Sequence, residues 1–159
     1  MSGNSDLRNR LRRRVIAASW GGVVDYAALR VCWRVLELNL SAPDEFWRSS
    51  PERIVAAYNG VGPDLLPRWI RRIITALLAR YEPEAMVHDY EYEQPRKTFW
   101  RFTVANARFA WNAVRAAVRD NELLIVMVRQ AVLGVLLAAL CQLGGWRGFK
   151  SARRSVSYE

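Results

Sequence analysis

Apolar residues recur at intervals of three and four along most of the chain, which is the spacing of one face of an α-helix. The first such stripe runs from Leu7 to Leu38, with a candidate break at Gly21-Gly22. A short helix is predicted to begin at Ser50-Pro51, an N-cap followed by proline, and to stop at Tyr58. No segment alternates as a strand would. The pattern predicts a mostly α, compact helical domain.

The middle of the chain continues this pattern after one loop. Residues 59–67 contain two glycines and two prolines, which is loop chemistry. An apolar stripe with arginines beside it then predicts a surface helix over residues 68–80. Glu82-Pro83-Glu84 opens another helix, and Thr98 can cap the next one. That last helix carries a stripe along one face, formed by Phe99, Phe102, Asn106, Phe109 and Ala113.

The most apolar segment lies near the C-terminus, from Leu123 to Gly145. Its uncharged part follows Arg129 and Gln130 and is shorter than a membrane-spanning helix usually needs. We therefore expect a buried or interfacial helix here. The arginine-rich N-terminus resembles a signal peptide only superficially, because charged residues interrupt the apolar part and no small-residue cleavage pattern follows. No export signal is expected.

Charge narrows the range of partners. The 159 residues carry a formal net charge of +9, mostly from arginine, whose planar fork binds phosphate by two-point contact. Nucleic acid and an anionic membrane surface both fit this charge. Two cysteines, Cys32 and Cys141, lie in apolar stretches and are expected to be buried thiols, so the chain is not a disulfide-rich secreted scaffold. One histidine and two distant cysteines do not suit zinc.

The histidine, His88, begins the helical motif His88-Asp89-Tyr90-Glu91-Tyr92. His88 and Tyr92 are four residues apart and therefore share a helical face. His-Asp-x-x-Tyr resembles the active-site helix motif of secreted phospholipases A2 and of the related domain in parvovirus capsids. A lone histidine on a helix is more often structural than catalytic, so the motif needs support from the rest of the chain.

A glycine loop upstream agrees with this resemblance. Tyr58-x-Gly60-x-Gly62 has the spacing with which those enzymes direct backbone carbonyls at calcium. The resemblance implies that Tyr58, Gly60 and Gly62, with the Asp89 carboxylate, form a calcium loop. Calcium prefers six to eight oxygen ligands, and glycines let the backbone turn inward without Cβ clashes. An ordinary glycine turn between helices is the alternative interpretation of this loop.

The third matching piece is Ala105-Asn106-Ala107-Arg108-Phe109, which resembles the Ala-Asp-x-x-Phe stretch of the viral domain's second active-site helix. The resemblance implies two antiparallel active-site helices in which His88 faces residue 106. Here that residue is asparagine, which accepts a hydrogen bond but offers no negative charge to a protonated imidazole. The segment between Gly62 and His88 is also longer than is usual in the family. The resemblance covers about Tyr58 to Phe109.

The function implied is calcium-dependent hydrolysis of a phospholipid ester. His88 would take a proton from water, with Asn106 and Tyr92 as its partners, and the Gly60 N–H would complete the oxyanion site. Four residues beside the loop could seat the protein on an anionic bilayer: Arg68, Trp69, Arg71 and Arg72. The chain then divides into an N-terminal amphipathic region (1–50), the phospholipase A2-like core (51–120), and an apolar helix with a basic tail (121–159). A cytoplasmic or peripheral membrane location follows, in a bacterial or phage context.

A second resemblance leads to a different class of function. A phage-associated family of unknown function has a similar His-Asp-Tyr-x-Tyr helix and a basic, tryptophan-bearing C-terminus, here residues 144–149. In this alternative the chain is a catalytically inactive accessory or structural protein that binds membrane or nucleic acid. Trp100, Trp111 and Trp146, interleaved with arginine, would suit base stacking, although core aromatics are the favoured interpretation. The sequence leaves the oligomeric state undetermined.

Overall fold

The computed structural model describes residues 3–22, 25–58, 79–120, 123–146 and 150. Within these ranges the chain is helical and contains no strand, so the mostly α prediction is confirmed. The elements are α1 (Gly3–Gly21), α2 (Tyr26–Glu37), α3 (Asp44–Arg48), α4 (Pro51–Ala57), a 3₁₀ turn (Ala79–Tyr81), α5 (Glu82–Glu93), α6 (Phe99–Asp120) and α7 (Leu124–Gly144).

The helix boundaries follow the turn and capping residues of the sequence. Helix α1 ends at Gly21, and Gly22 has φ +67, a conformation that glycine adopts without steric cost. The Asp25 side chain then accepts the backbone N–H of Ala27 at 2.8 Å and caps α2. The predicted break is therefore real, and the N-terminal stripe forms two helices. The predicted caps are confirmed as well, because Ser50 accepts from Arg53 and Thr98 from Arg101.

The main core lies where α1, α2, α3 and α4 pack against α5. Its centre is aromatic, since the Phe46 ring meets both Trp47 and Tyr90 edge to face. The Tyr90 hydroxyl donates to the Glu45 carbonyl at 3.1 Å, which ties α5 to α3. Cys32 is fully buried in this core. Cys141 is only half-buried, so the expectation of two buried thiols is correct for one of them.

Helix α6 lies between α5 and α7 and runs antiparallel to both. Towards α5, Tyr92 meets Phe102 while Tyr81, eleven residues earlier, meets Phe109. Towards α7, Gly134 lies so close to Ala113 that an added Cβ would be 2.2 Å from the alanine Cβ. The predicted antiparallel pair of helices around His88 and residue 106 is confirmed, and α7 adds a third helix to it.

Among the described residues, only one side of α7 is covered by other helices. Gln130, Gly134 and Ala138 are buried against α6 at steps of four residues. The opposite side is apolar and exposed, so the expectation of a buried helix is wrong for that side. Residues Leu124–Leu143, with a mean hydropathy of 2.3, form one helix in the described ranges that is long and apolar enough to cross a membrane by length and composition. The expectation of an interfacial helix stays a prediction.

Several predicted features lie outside the described residues. These are the loop after Tyr58, with Gly60 and Gly62, and the apolar-basic helix up to residue 78. The four residues expected to seat the protein on a bilayer belong to the same part of the chain: Arg68, Trp69, Arg71 and Arg72.

Candidate functional site

The candidate site is centred on the imidazole of His88, in the middle of α5. The His88 side chain points away from the aromatic core and towards α6, and the residue is only 8% exposed. Tyr92 lies one helical turn later on the same face, with its ring centroid 4.0 Å from that of the imidazole. Phe109 of α6 meets the imidazole edge to face at 5.5 Å. The imidazole is therefore held by rings on two sides.

The polar partner of His88 is the side chain of Asn106. His88 Nε2 is 2.9 Å from Asn106 Oδ1, and the Tyr92 hydroxyl donates to the same oxygen at 3.1 Å. Asn106 is itself buried, with 3% of its surface exposed. A polar group on a core face needs partners, and the partners predicted for Asn106 are present.

The other end of the Asn106 amide is held by α7. Asn106 Nδ2 donates to Gln142 Oε1 at 2.8 Å, and Gln142 Nε2 donates to Thr103 Oγ1 at 3.2 Å. In this arrangement the nitrogen of each of the two amides donates and the oxygen of each accepts. The sequence reasoning missed Gln142. Its signal was available, because Gln142 is the one amide side chain in the apolar stretch from Ala131 to Gly145.

The second imidazole nitrogen faces a carboxylate. His88 Nδ1 is 3.7 Å from Asp89 Oδ1, and the Asp89 side chain is 19% exposed. The negative charge of Asp89 also affects neighbouring groups, among them Tyr58 and Cys141. Burial raises the pKa of Tyr58, with Glu82 and Asp89 adding to the effect, and burial together with Asp89 raises the pKa of Cys141. Asp89 therefore makes the Nδ1 side of the site electronegative.

Two of the four predicted calcium ligands, Tyr58 and Asp89, lie within the described residues, while Gly60 and Gly62 do not. Within the described ranges, no group of three or more histidine, cysteine or acidic side chains could hold a metal ion. A loop that binds calcium through backbone carbonyls needs only one such side chain. The Asp89 carboxylate fits that requirement, since it supplies hard oxygen ligands in an electronegative setting.

A separate polar feature lies one turn before His88 on α5. Glu84 is 1% exposed, and among the described residues neither of its carboxylate oxygens has a side-chain hydrogen-bond partner. Burial raises the pKa of Glu84 to about 8, so the side chain is mostly neutral at pH 7. It borders a cavity of about 500 Å³ that Arg30, Arg34 and Arg80 also line and that His88 does not reach.

The tryptophans do not lie where they were expected. Trp100 is 73% exposed and Trp111 is 60% exposed, so the interpretation of these two rings as core aromatics is wrong. Trp146 is half-buried and packs edge to face against Phe99 and Phe102.

The structure thus brings together His88, Asn106 and Tyr92, with Asp89 beside them, and it adds Gln142 to this set. The predicted contact between α5 and α6 at His88 is confirmed. In the comparisons with known proteins, no family model, no curated protein and no solved structure matches this chain.

Proposed function

We propose that this protein is a calcium-dependent phospholipid ester hydrolase in which His88 activates water. The observation that carries the proposal is the orientation of the Asn106 amide, which places its oxygen on His88 Nε2. An amide oxygen only accepts, so in this orientation Nε2 is the nitrogen that donates. Neutral His88 therefore keeps its lone pair on Nδ1, as a general base requires.

Gln142 is the residue that makes this arrangement hold with asparagine. When asparagine replaces the aspartate of a serine-protease triad, turnover falls about ten-thousand-fold because the histidine adopts the wrong tautomer. That tautomer requires the amide nitrogen to face the imidazole. Here the nitrogen is committed to Gln142 Oε1, and Tyr92 donates to the oxygen from the other side. Asn106 thus orients His88 as an aspartate would, although it adds no charge.

In the proposed reaction a water molecule attacks the ester carbonyl carbon while His88 Nδ1 takes one of its protons. The new C–O bond forms as the carbonyl becomes an oxyanion. The bond to the leaving alkoxide then breaks, and the proton on Nδ1 passes to that alkoxide. The products are a fatty acid and a lysophospholipid. Asp89, 3.7 Å from Nδ1, offers a negative charge to the imidazolium formed in between.

Calcium would be held by Asp89 and by the carbonyls of Tyr58, Gly60 and Gly62, and it would supply the positive charge that polarises the ester carbonyl. The Gly60 N–H is the proposed second donor to the oxyanion. A phospholipid is the proposed ester because the chain carries a net charge of +9 and an exposed apolar helix. The proposed location is cytoplasmic or peripheral to a membrane.

The test is fatty-acid release from mixed anionic vesicles, with calcium or with excess chelator. The parent protein should hydrolyse lipid only with calcium, and His88→Gln should not hydrolyse it. Calorimetry should show calcium binding that Asp89→Ala abolishes. Asp44→Ala is the matched control, because Asp44 is an exposed carboxylate on α3 whose partner, Arg48, is also exposed. Calcium binding that survives Asp89→Ala would rule out the proposed ligand set.

The second candidate is a non-catalytic accessory protein of phage origin that binds a membrane or nucleic acid. The observation in its favour is Asn106 itself, since a neutral amide stabilises an imidazolium less than a carboxylate does. Exposed Trp100 and Trp111 on an arginine-bearing helix would suit either partner. Absence of calcium-dependent release by the parent protein would favour this candidate.

A further inference from the structure

We propose that the outer face of α7 is the surface by which this protein docks on an anionic phospholipid bilayer. The face consists of exposed apolar side chains at helical spacing, among them Leu124, Val128, Val132, Leu136, Leu140 and Leu143. The assignment extends the proposed hydrolase function, but docking can be measured without any hydrolysis.

The extent of the face is the first argument. Helix α7 is 21 residues long, or about 30 Å, and its exposed apolar positions cover roughly half of the helix circumference. Ile125 is 80% exposed at one end and Leu143 is 85% exposed at the other. Soluble proteins rarely leave so large an apolar patch in water.

The width of the face distinguishes a bilayer from a second helix. A partner helix in a coiled coil covers a narrow seam of two positions in seven. Such a partner helix would leave much of the apolar half of α7 exposed. A bilayer surface can accept the whole width, because a helix lying in the interface buries its complete apolar side among the acyl chains.

The inner side of α7 indicates that the helix lies on the bilayer and does not cross it. The Gln130 carbonyl accepts from the Tyr81 hydroxyl at 2.8 Å, and Gln142 holds Asn106. A spanning orientation would separate these polar groups from their partners or carry them into hydrocarbon, and both are costly. With α7 in the interface, the same contacts remain inside the protein.

Exposed tryptophans on α6 and exposed cations beside α7 suit the same partner. Trp100 and Trp111 are eleven residues apart on α6 and therefore share one exposed face, and Val118 continues that face. Tryptophan is enriched at the boundary between headgroups and acyl chains. Exposed Arg129 and Lys150 lie near the two ends of α7 and provide charge complementary to anionic headgroups.

Docking through α7 would also bring the lipid to the helix that supports the site. Gln142, which holds the Asn106 amide, lies on the inner side of α7, whereas Leu136 and Leu140 lie on its outer side. One helix would therefore contact the bilayer and position the partner of His88.

The test measures binding to vesicles of phosphatidylglycerol and phosphatidylcholine by co-sedimentation, and by quenching of tryptophan fluorescence with brominated acyl chains. The parent protein should bind these vesicles at least tenfold more tightly than vesicles of phosphatidylcholine alone. Leu136→Glu/Leu140→Glu should weaken binding by roughly a hundredfold or more. Two leucines that docking would bury in the bilayer are lost, and two negative charges are added.

Ile16→Glu is the matched control, since Ile16 is a similarly exposed apolar residue on α1, at 44%. It should change vesicle binding by less than about twofold, as a surface substitution away from the docking face. The neutral variant Leu136→Gln/Leu140→Gln separates lost burial from added repulsion and should weaken binding by roughly tenfold. Far-UV circular dichroism checks that each variant is folded.

Three results would overturn the proposal. The first is a parent protein that does not bind the anionic vesicles. The second is a folded Gln or Glu double variant that binds as the parent does, or an Ile16→Glu variant that loses binding equally. The third is that the parent protein is a dimer, that the Glu double variant is a monomer, and that this variant still binds vesicles. This result would assign the face to a second copy of the chain. Vesicle binding without lipid hydrolysis would refute the proposed function alone.

Discussion

Helix α5 places two buried polar groups one turn apart in opposite surroundings. His88 meets Asn106, whose oxygen and nitrogen both have partners drawn from two other helices. Glu84 is at least as deeply buried, yet its two oxygens have no side-chain hydrogen-bond partner among the described residues. Burial acts on both groups, but among the described residues only His88 has a side-chain hydrogen-bond partner, drawn from another helix. The difference shows that the partners a fold supplies, and not burial alone, distinguish two polar groups on one helix.

The largest expected effect comes from replacing each of the two residues in turn and measuring hydrolysis. His88→Gln should lower calcium-dependent fatty-acid release by about 10²- to 10⁴-fold, the range typical of a lost general base. Glu84→Gln should leave the rate within about threefold, since the hydrogen bond and ion pair that His88 makes among the described residues go to Asn106 and Asp89. Equal losses in the two variants would show that α5 contributes packing and not chemistry.

Glu84→Gln should instead change how stability depends on pH. The pKa of Glu84 is about 8 in the folded protein against 4.5 as the ordinary value, so the folded state holds this proton more tightly. Its contribution to stability is then complete below pH 4.5 and is lost as the pH rises towards 8. Above pH 8 the glutamine variant should be more stable than the parent by about 5 kcal/mol.

Urea unfolding at pH 5, 7 and 9 measures this effect. Glu52→Gln is the control, because Glu52 is exposed on α4 and should show no such dependence. If the free energy of unfolding of the parent protein is constant between pH 5 and pH 9, the pKa of Glu84 is not raised by burial and this prediction is wrong.

Introducing a carboxylate at position 106 tests the role of the hydrogen-bond partner of His88. Asn106→Asp should raise turnover by about tenfold to a hundredfold if the protein is a hydrolase, because the imidazolium gains a negative partner. Gln142 would need to rotate its amide, so that Nε2 faces the new carboxylate and Oε1 accepts from the Thr103 hydroxyl. Initial rates on anionic vesicles measure this change. If neither the parent protein nor Asn106→Asp releases fatty acid, the non-catalytic accessory protein is the favoured candidate.

The smallest expected effect concerns Gln142, which acts through Asn106 and touches no reacting atom. Gln142→Leu should lower turnover by roughly tenfold, because the Asn106 amide becomes free to turn its nitrogen towards His88. The same substitution in an Asn106→Asp background should cost less than threefold, since a carboxylate presents an oxygen in either orientation. A double-mutant cycle on kcat measures this difference. Equal losses in both backgrounds would indicate a packing role for Gln142.

The sequence predicted the helices well where local chemistry sets their limits. Gly22, Ser50 and Thr98 act through the backbone of residues beside them, so their effects can be recognised without a fold. The approach of His88 to Asn106 was also predictable. It needed only the four-residue spacing to Tyr92, a short connector between two helices, and a polar residue on an apolar stripe.

Other features depended on which surfaces meet. Gln142 lies 36 residues from Asn106, and no local pattern pairs them. The exposure of Trp100 and Trp111 is likewise a matter of which face of α6 the other helices leave uncovered. Hydrophobicity predicts which residues favour burial, but the number of neighbours available to cover them is a property of the whole fold.

The amino-acid sequence by itself determined that this chain is helical, where several of its described helices begin, and that His88 shares a face with Tyr92. Those properties follow from backbone hydrogen bonding and from a 3.6-residue period, which act within one helix. Only the tertiary structure decided that Asn106 turns its oxygen towards His88, that Glu84 has no side-chain hydrogen-bond partner among the described residues, and that α7 keeps an apolar face exposed. Each of these depends on atoms brought together from distant parts of the chain, and a side chain's orientation and protonation are set by such neighbours.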